Sequence, residues 1–229
     1  MYDMIVEVDG HSSRFNSDKV VYSNIPPALL KRLFSKEVMF VPHLALNKLA
    51  EHYTLAESKY PNAEAGNGHT FPNWGKGQLF ESFVIDSMYR HLMAYFAGER
   101  YDADFGTHHL ISVAWGAACL FQFFTHYELY QSFDDRKWVG FYGPKYETIE
   151  AENLATVAFS NIPFIQTSQS LAELVEASFH LFLSVLYVAQ EDLMKDTTIS
   201  FKVDAERLAK IRESILFYGE KKISSGKSD

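Results

Sequence analysis

From Leu110 to Phe124 no charged side chain interrupts the sequence, and apolar residues fall on nearly every side of a helical projection. A helix with no polar face has to be surrounded by protein or by lipid. A bilayer span needs about 20 apolar residues. This run is shorter, and His108, His109, Gln122 and His126 flank or interrupt it. The run therefore predicts a buried central helix. A chain built around such a helix is mainly α: a helical bundle, with a few short strands at its periphery.

The flanking sequence supplies the partners. His43 to Tyr60 places Leu46, Leu49, Ala50, Tyr53, Ala56 and Tyr60 on one helical face, with Glu57 beside that stripe. Pro61 ends that helix. Gln78 to about Ala97 reads as another, stopped by Gly98. Thr107 is a candidate cap for the apolar helix, which is expected to run to about Gln131. Upstream, Pro26-Pro27 suits a helix start, with Ala28 to Met39 following, while Met4–Val6 and Val20–Tyr22 read as short strands. Gly140, Gly143 and Pro144 suggest a boundary. It would divide a helical domain over 1–140 from a mostly helical extension of unknown role over 141–229. Within the extension, Ser170-Leu171-Ala172-Glu173 has capping-box spacing ahead of a long helix to about Asp192. Thr197–Val203 alternates like a strand, and Asp204 can cap a last helix.

Composition narrows the function. The net charge of −8 over 229 residues disfavours nucleic acid as a partner, since its binding needs a basic surface. The lone Cys119 rules out a disulfide framework within one chain. Met1-Tyr2-Asp3-Met4 lacks the character of a signal peptide, so a cytoplasmic protein with no membrane partner is expected. The 19 Phe and 13 Tyr imply thick helix–helix layers or an apolar interface between subunits. P-loop, dinucleotide-binding, HExxH and GxSxG motifs are all missing from the sequence.

Chemistry-bearing residues concentrate between Asn73 and His109. Glu99 and Asp102 are three apart, so on a helix both would project from one face and share a divalent cation. In a turn after Gly98 such a pair is more often solvated surface. His91 and His109 lie on helices joined by a short connection, which can bring their rings together in a mixed His/carboxylate site. Singly, each is more often a satisfied core or rim histidine. Lys59, Lys76 and Arg90 are cations near the same helix ends, able to hold phosphate oxygens or simply to face solvent. Trp74, after Asn73 in a Gly-bordered loop, is either a loop anchor or a stacking platform for a base.

The order of these pieces resembles a known family. The chain shows Arg14-Phe15-Asn16-Ser17 with Lys19, Ile25-Pro26-Pro27, Lys59-Tyr60, Asn73-Trp74-Gly75-Lys76-Gly77, Arg90-His91-Leu92, Gly98-Glu99-Arg100-Tyr101-Asp102 and Gly106-Thr107-His108-His109-Leu110. That succession, over about residues 12–127, is similar to the phage-associated dATP/dGTP diphosphohydrolases, related in outline to MazG-like all-α nucleotide pyrophosphohydrolases. The resemblance implies conversion of a purine deoxynucleoside triphosphate to the monophosphate and pyrophosphate, assisted by Mg²⁺ or Mn²⁺. It implies Glu57, Glu99 and Asp102 as metal ligands and His91, His109 and Glu99 as catalytic groups. Asn73, Trp74, Lys59, Lys76 and Arg90 would hold the nucleotide. It further implies a homo-oligomer, in the host cytoplasm if phage-encoded. The chain departs from the family pattern at Ser112, where a second His is common, and at Val84, which leaves Glu81 without an acidic partner three residues on. A non-catalytic phage scaffold that binds a nucleotide or a protein is the alternative reading.

Overall fold

The computed structural model describes residues 6–8, 11–13, 20–35, 38, 40–64, 70–140 and 154–196. Among the described residues are seven α-helices: α1 (Pro27–Leu33), α2 (His43–Lys59), α3 (Asp86–Phe96), α4 (His109–Thr125), α5 (Tyr127–Tyr130), α6 (Leu154–Thr167) and α7 (Leu171–Asp196). Two antiparallel pairs of very short strands, Val6–Val8 with His11–Ser13 and Ala63–Glu64 with Thr70–Phe71, complete a mainly α fold. The expected strand over Thr197–Val203, the helix capped by Asp204 and the Arg14–Lys19 motif lie outside the described residues.

The uncharged run forms α4 and is the hub. Every residue from His109 to Phe124 is buried except Trp115 and Gln122, which are half-buried. α4 packs most extensively on α7, then on α3 and α2. Gly116 sets the α3–α4 approach, because a Cβ there would lie 2.6 Å from Met88 Cγ. α7 is long and apolar enough to cross a bilayer, but 61% of its most apolar stretch is buried within the protein. Helices before and after residue 140 share one core, which runs from Leu29 and Leu49 through Phe123 to Phe182 and Leu186. Full burial of each such side chain contributes roughly 1.5–3 kcal/mol.

Several element ends differ from the sequence reading, each for a local reason. The apolar helix stops at Thr125, and the chain then turns by 106° into Tyr127–Phe133. The Thr125 hydroxyl donates to Phe121 O at 2.6 Å and competes with the helical ladder. Its N-cap is His108, whose Nδ1 accepts the Leu110 N–H, whereas the Thr107 hydroxyl pairs with His52. α1 ends at Leu33, and Phe34, which follows as its C-cap, is exposed. Tyr22–Asn24 is a 3₁₀ turn where a strand is expected from Val20 to Tyr22, and the Tyr22 hydroxyl donates to Asn47 Oδ1. α7 begins as its capping box predicts, with the Glu173 N–H on Ser170 Oγ, but extends to Asp196.

The segment before α3 opens as a π-helical turn, Phe80–Ile85, in which the Val84 N–H reaches Leu79 O. Asp135 caps it, accepting from the Glu81 and Ser82 amides at 2.7 and 3.1 Å. The Glu81 carboxylate returns the contact by accepting the Lys137 N–H. Glu81 is thus committed to a structural contact and is not part of the cavity wall. Next to this clamp, Arg136 forms two 2.7 Å bonds to the Asp134 carboxylate and donates to Ile165 O and Ser168 O at the end of α6. Both side chains are below 10% exposed (3% and 9%). Burial alone would raise the Asp134 carboxyl, but the Arg136 hydrogen bonds and charge outweigh it and hold the group below its ordinary value.

Removing one partner of a buried ion pair strands the other charge, at a cost of about 3–5 kcal/mol. Arg136→Ala should lose about that much in urea unfolding, and a loss below about 1 kcal/mol would contradict the assigned role. Asp134→Asn should flatten the acid limb of the stability profile. A depressed carboxyl stabilises the fold above the ordinary Asp value, and that stabilisation fades as the pH falls through the lowered value.

Candidate functional site

A cavity of about 890 Å³ opens between α2, the Pro72–Leu79 segment, the start of α3, the connection into α4, and α4 itself. Small-molecule sites occupy roughly 300–1,000 Å³, so a nucleotide-sized ligand fits. Glu57, Lys59, Asn73, Trp74, Arg90, His91, Asp102 and His109 all line it. Lys76 is exposed and is not part of the wall. Glu99 is not part of the wall either and stands behind His109.

His91, Asp102 and His109 converge. Each offers one donor atom, and the three atoms lie within 4.8 Å of one another. His91 comes from mid-α3 and His109 from the first turn of α4. Their Nδ1 atoms are 2.9 Å apart, and Asp102 Oδ2 is 3.8 Å from His91 Nδ1. Two nitrogens bound side by side to one cation, with bonds near 2.1 Å at right angles, stand about 3 Å apart. The imidazole spacing therefore fits a shared cation. Asp102 is held by its own turn: its Oδ1 accepts the Asp104 and Phe105 N–H groups at 2.7 and 3.2 Å, and Oδ2 faces His91. Gly106 adopts φ +63° within that turn. On the far side of the His109 ring, buried Nε2 has no hydrogen-bond partner among the described residues and faces the exposed Glu99 carboxylate at 3.8 Å. A carboxylate that hydrogen-bonds the outer nitrogen of a ligating histidine fixes its tautomer, and Glu99 stands on that side of the ring, beyond hydrogen-bond distance.

His91 is held below its ordinary value, first by burial and then by His109 and Arg90, against the opposing pull of Asp102. It is therefore neutral at physiological pH, the state that donates a lone pair to a metal.

The rest of the wall is aromatic and amide-rich. Glu57 Oε1 accepts from Asn24 Nδ2 at 2.5 Å and Asn62 Nδ2 at 3.0 Å, so its carboxylate is oriented from two sides. Tyr53, Trp74 and Trp115 form a ring cluster with centroid spacings of 5.9 and 6.5 Å about Tyr53. Trp74 Nε1, Trp115 Nε1 and Asn62 Oδ1 are buried atoms without a hydrogen-bond partner among the described residues. Buried polar groups generally require one, and these belong to residues of the cavity wall. Gly77, at φ +97°, lets the chain pass against Phe133, which a Cβ would strike. Lys59 lies over the Phe105 ring at 4.9 Å. Lys59 and Arg90 are exposed cations at the rim.

Asn24, His52, Asn62, Ser112 and Trp115 also line the cavity, and the sequence reading gave none of them a role. Asn24 and Asn62 carry no motif and reach Glu57 only through tertiary packing. His52 could have been found, because it precedes the Tyr53–Ala56 stripe on the same helix as Glu57. Ser112 is the position where the resemblance leads one to expect a His.

A helical bundle with a two-imidazole, one-carboxylate cluster in an aromatic, cation-rimmed cavity defines a class of site suited to a divalent cation and a phosphorylated ligand. The chain belongs to the family described as dATP/dGTP diphosphohydrolase, N-terminal, which matches residues 11–136. Neither a curated protein nor a solved structure matches it.

His52 gives a direct check of the cavity's interior. Burial, and secondarily His91, lower it from 6.5 to about 4, with Asp102 opposing. In the cation-free protein its ring protons should titrate by NMR with a midpoint of about 4. A midpoint near 6.5 would show that the ring is solvated. Because the folded state favours the neutral ring, its contribution to stability is complete above about 6.5 and is lost as pH falls toward 4.

Proposed function

We propose that this protein hydrolyses a purine deoxynucleoside triphosphate to the monophosphate and pyrophosphate, with a divalent cation held by His91, His109 and Asp102. The observation that carries the reading is the convergence of these three donors within a nucleotide-sized cavity, in a chain of this family. A cation held by His91, His109 and Asp102 would supply Lewis acidity toward phosphate oxygens and lower the pKa of a water. Two imidazoles and one carboxylate suit Mn²⁺ better than Mg²⁺, which prefers an oxygen-only shell.

The chain's own residues divide the remaining work. Lys59 and Arg90 at the rim hold phosphate oxygens, Arg90 through its planar fork. Trp74 and Trp115 provide apolar faces and N–H donors for the base, with Asn73 beside them. Glu99 orients His109 from behind and is not itself a ligand in this assignment. Water attacks the α-phosphorus, the bond to the bridging oxygen breaks, and pyrophosphate departs. Glu57, oriented by Asn24 and Asn62, accepts the proton of the water. Exposed apolar side chains, Phe83, Met93 and Phe96 among them, support self-association, and the proposed setting is the cytoplasm.

Incubation with dATP or dGTP and Mn²⁺, followed by ³¹P NMR, should give monophosphate and pyrophosphate. Asp102→Asn and His109→Ala should abolish turnover. Glu57→Gln should lower kcat by about 10²–10⁴, the usual range for a proton-transfer group. Release of orthophosphate would contradict the bond assignment. Nucleotide binding without turnover in the wild-type protein would favour the non-catalytic scaffold.

A further inference from the structure

Asp102 and His109 reach the cluster on one short connection, Gly98 to His108, between α3 and α4. Part of its shape is internal: the Asp102 N–H donates to Thr107 O, the Gly106 N–H to Asp102 O and the His109 N–H to Arg100 O. Its middle meets α2, where His52 pairs with the Thr107 hydroxyl and Lys59 lies over the Phe105 ring, whereas Arg100, Tyr101 and His108 face the last two turns of α7, beyond the residues that the family matches. Tyr101 Oη and Arg100 Nη1 donate to the two oxygens of Asp196 at 2.6 and 2.7 Å. One turn earlier, buried Asp192 accepts from Tyr95 Oη at 2.8 Å and faces His108 Nε2 at 3.6 Å. His108 Nδ1 accepts the Leu110 N–H, so the ring proton of the neutral tautomer lies on Nε2, toward Asp192. Lys195 covers the second oxygen of Asp192 at 3.0 Å. Tyr101 immediately precedes Asp102, and His108 immediately precedes His109. Asp196 thus holds the residue before Asp102 by a hydrogen bond, and Asp192 faces the ring of the residue before His109.

We propose that Asp192 and Asp196 are positioning residues for the His91–Asp102–His109 centre, so that the C-terminal helix completes a site whose donors all lie in the family-matched part. The proposal rests on reading that cluster as a cation site. It gives α7 a role that general bracing does not. α7 makes other ties far from the cluster, such as the Arg32–Glu176 pair to α1 at 2.5 Å. Those should matter for stability alone, whereas the Asp192 and Asp196 ties should set the geometry of the donors.

The test is Mn²⁺ affinity of the full chain by calorimetry, beside the thermal midpoint of the cation-free protein. Asp192→Asn, Asp196→Ala and Tyr101→Phe should each weaken Mn²⁺ binding about 10–100-fold, the range found when partners behind metal ligands are removed. Arg32→Gln, which cuts the tie to α1, should lower the midpoint and leave Mn²⁺ affinity unchanged. Wild-type affinity in all three of the first variants overturns the proposal, as does weakening no greater than that of Arg32→Gln. Tyr101→Phe removes a single hydroxyl from a half-exposed ring and keeps the test decisive if Asp192→Asn does not fold. His109→Ala separates the two readings. If it binds Mn²⁺ as the wild type does, the cation site itself has failed. If it abolishes binding while the α7 variants bind normally, only the positioning role has failed.

Discussion

The burial of α4 on all sides is the constraint from which the architecture follows. A helix with no polar face cannot lie at a surface, so α2, α3 and α7 must enclose it. Enclosure fixes α4 with little freedom to slide, because interiors are close-packed and Met88 of α3 sits where a Cβ on Gly116 would be. The site inherits that rigidity. His109 is the first residue of the most deeply buried helix, and the preceding His108 caps it. An imidazole so placed is far better fixed than one on a free loop.

Long-range polar contacts then set the register of the other parts. Gln190 Oε1 on α7 accepts the Leu44 and Ala45 N–H groups and so caps α2, whose N-cap, Pro42, has no side-chain acceptor to offer. Asp135 caps the π-helical turn that leads into α3, and Arg136 joins that segment to α6. α2 and the segment that leads into α3 are therefore each anchored at an end by a side chain distant in sequence, whereas α4 is capped by its own neighbour, His108. The two carboxylates prominent in sequence have different surroundings. Glu57 sits in the wall between two amides, and Glu99 stands outside, behind a histidine.

These facts explain what the sequence could show. α2 and α4 were legible because their patterns, a one-sided stripe and an all-apolar run, map directly onto burial. The His91–Asp102–His109 cluster was partly legible because its members share one helical hairpin, and a short connection limits where its ends can go. The particular grouping was not, since Glu99 and Asp102 look equivalent at a spacing of three. The turn after Gly98 separates them, sending Asp102 toward His91 and Glu99 to the far side of His109. Asn24 and Asn62 were invisible for a different reason: they meet Glu57 through tertiary packing. α6 carries Pro163 inside it, a residue that reads as a helix break, and the π-helical turn depends on Asp135, more than 50 residues further on (|i−j| 54 to Glu81).

The central claim is that His91, Asp102 and His109 hold one cation. Crystals grown with Mn²⁺ and measured at a wavelength with strong manganese anomalous scattering test it most directly. The account predicts an anomalous peak within about 2.0–2.3 Å of His91 Nδ1, His109 Nδ1 and an Asp102 oxygen, with Glu99 on the opposite face of the His109 ring. A peak at Glu57 or Glu99 with none between the two imidazoles would contradict it.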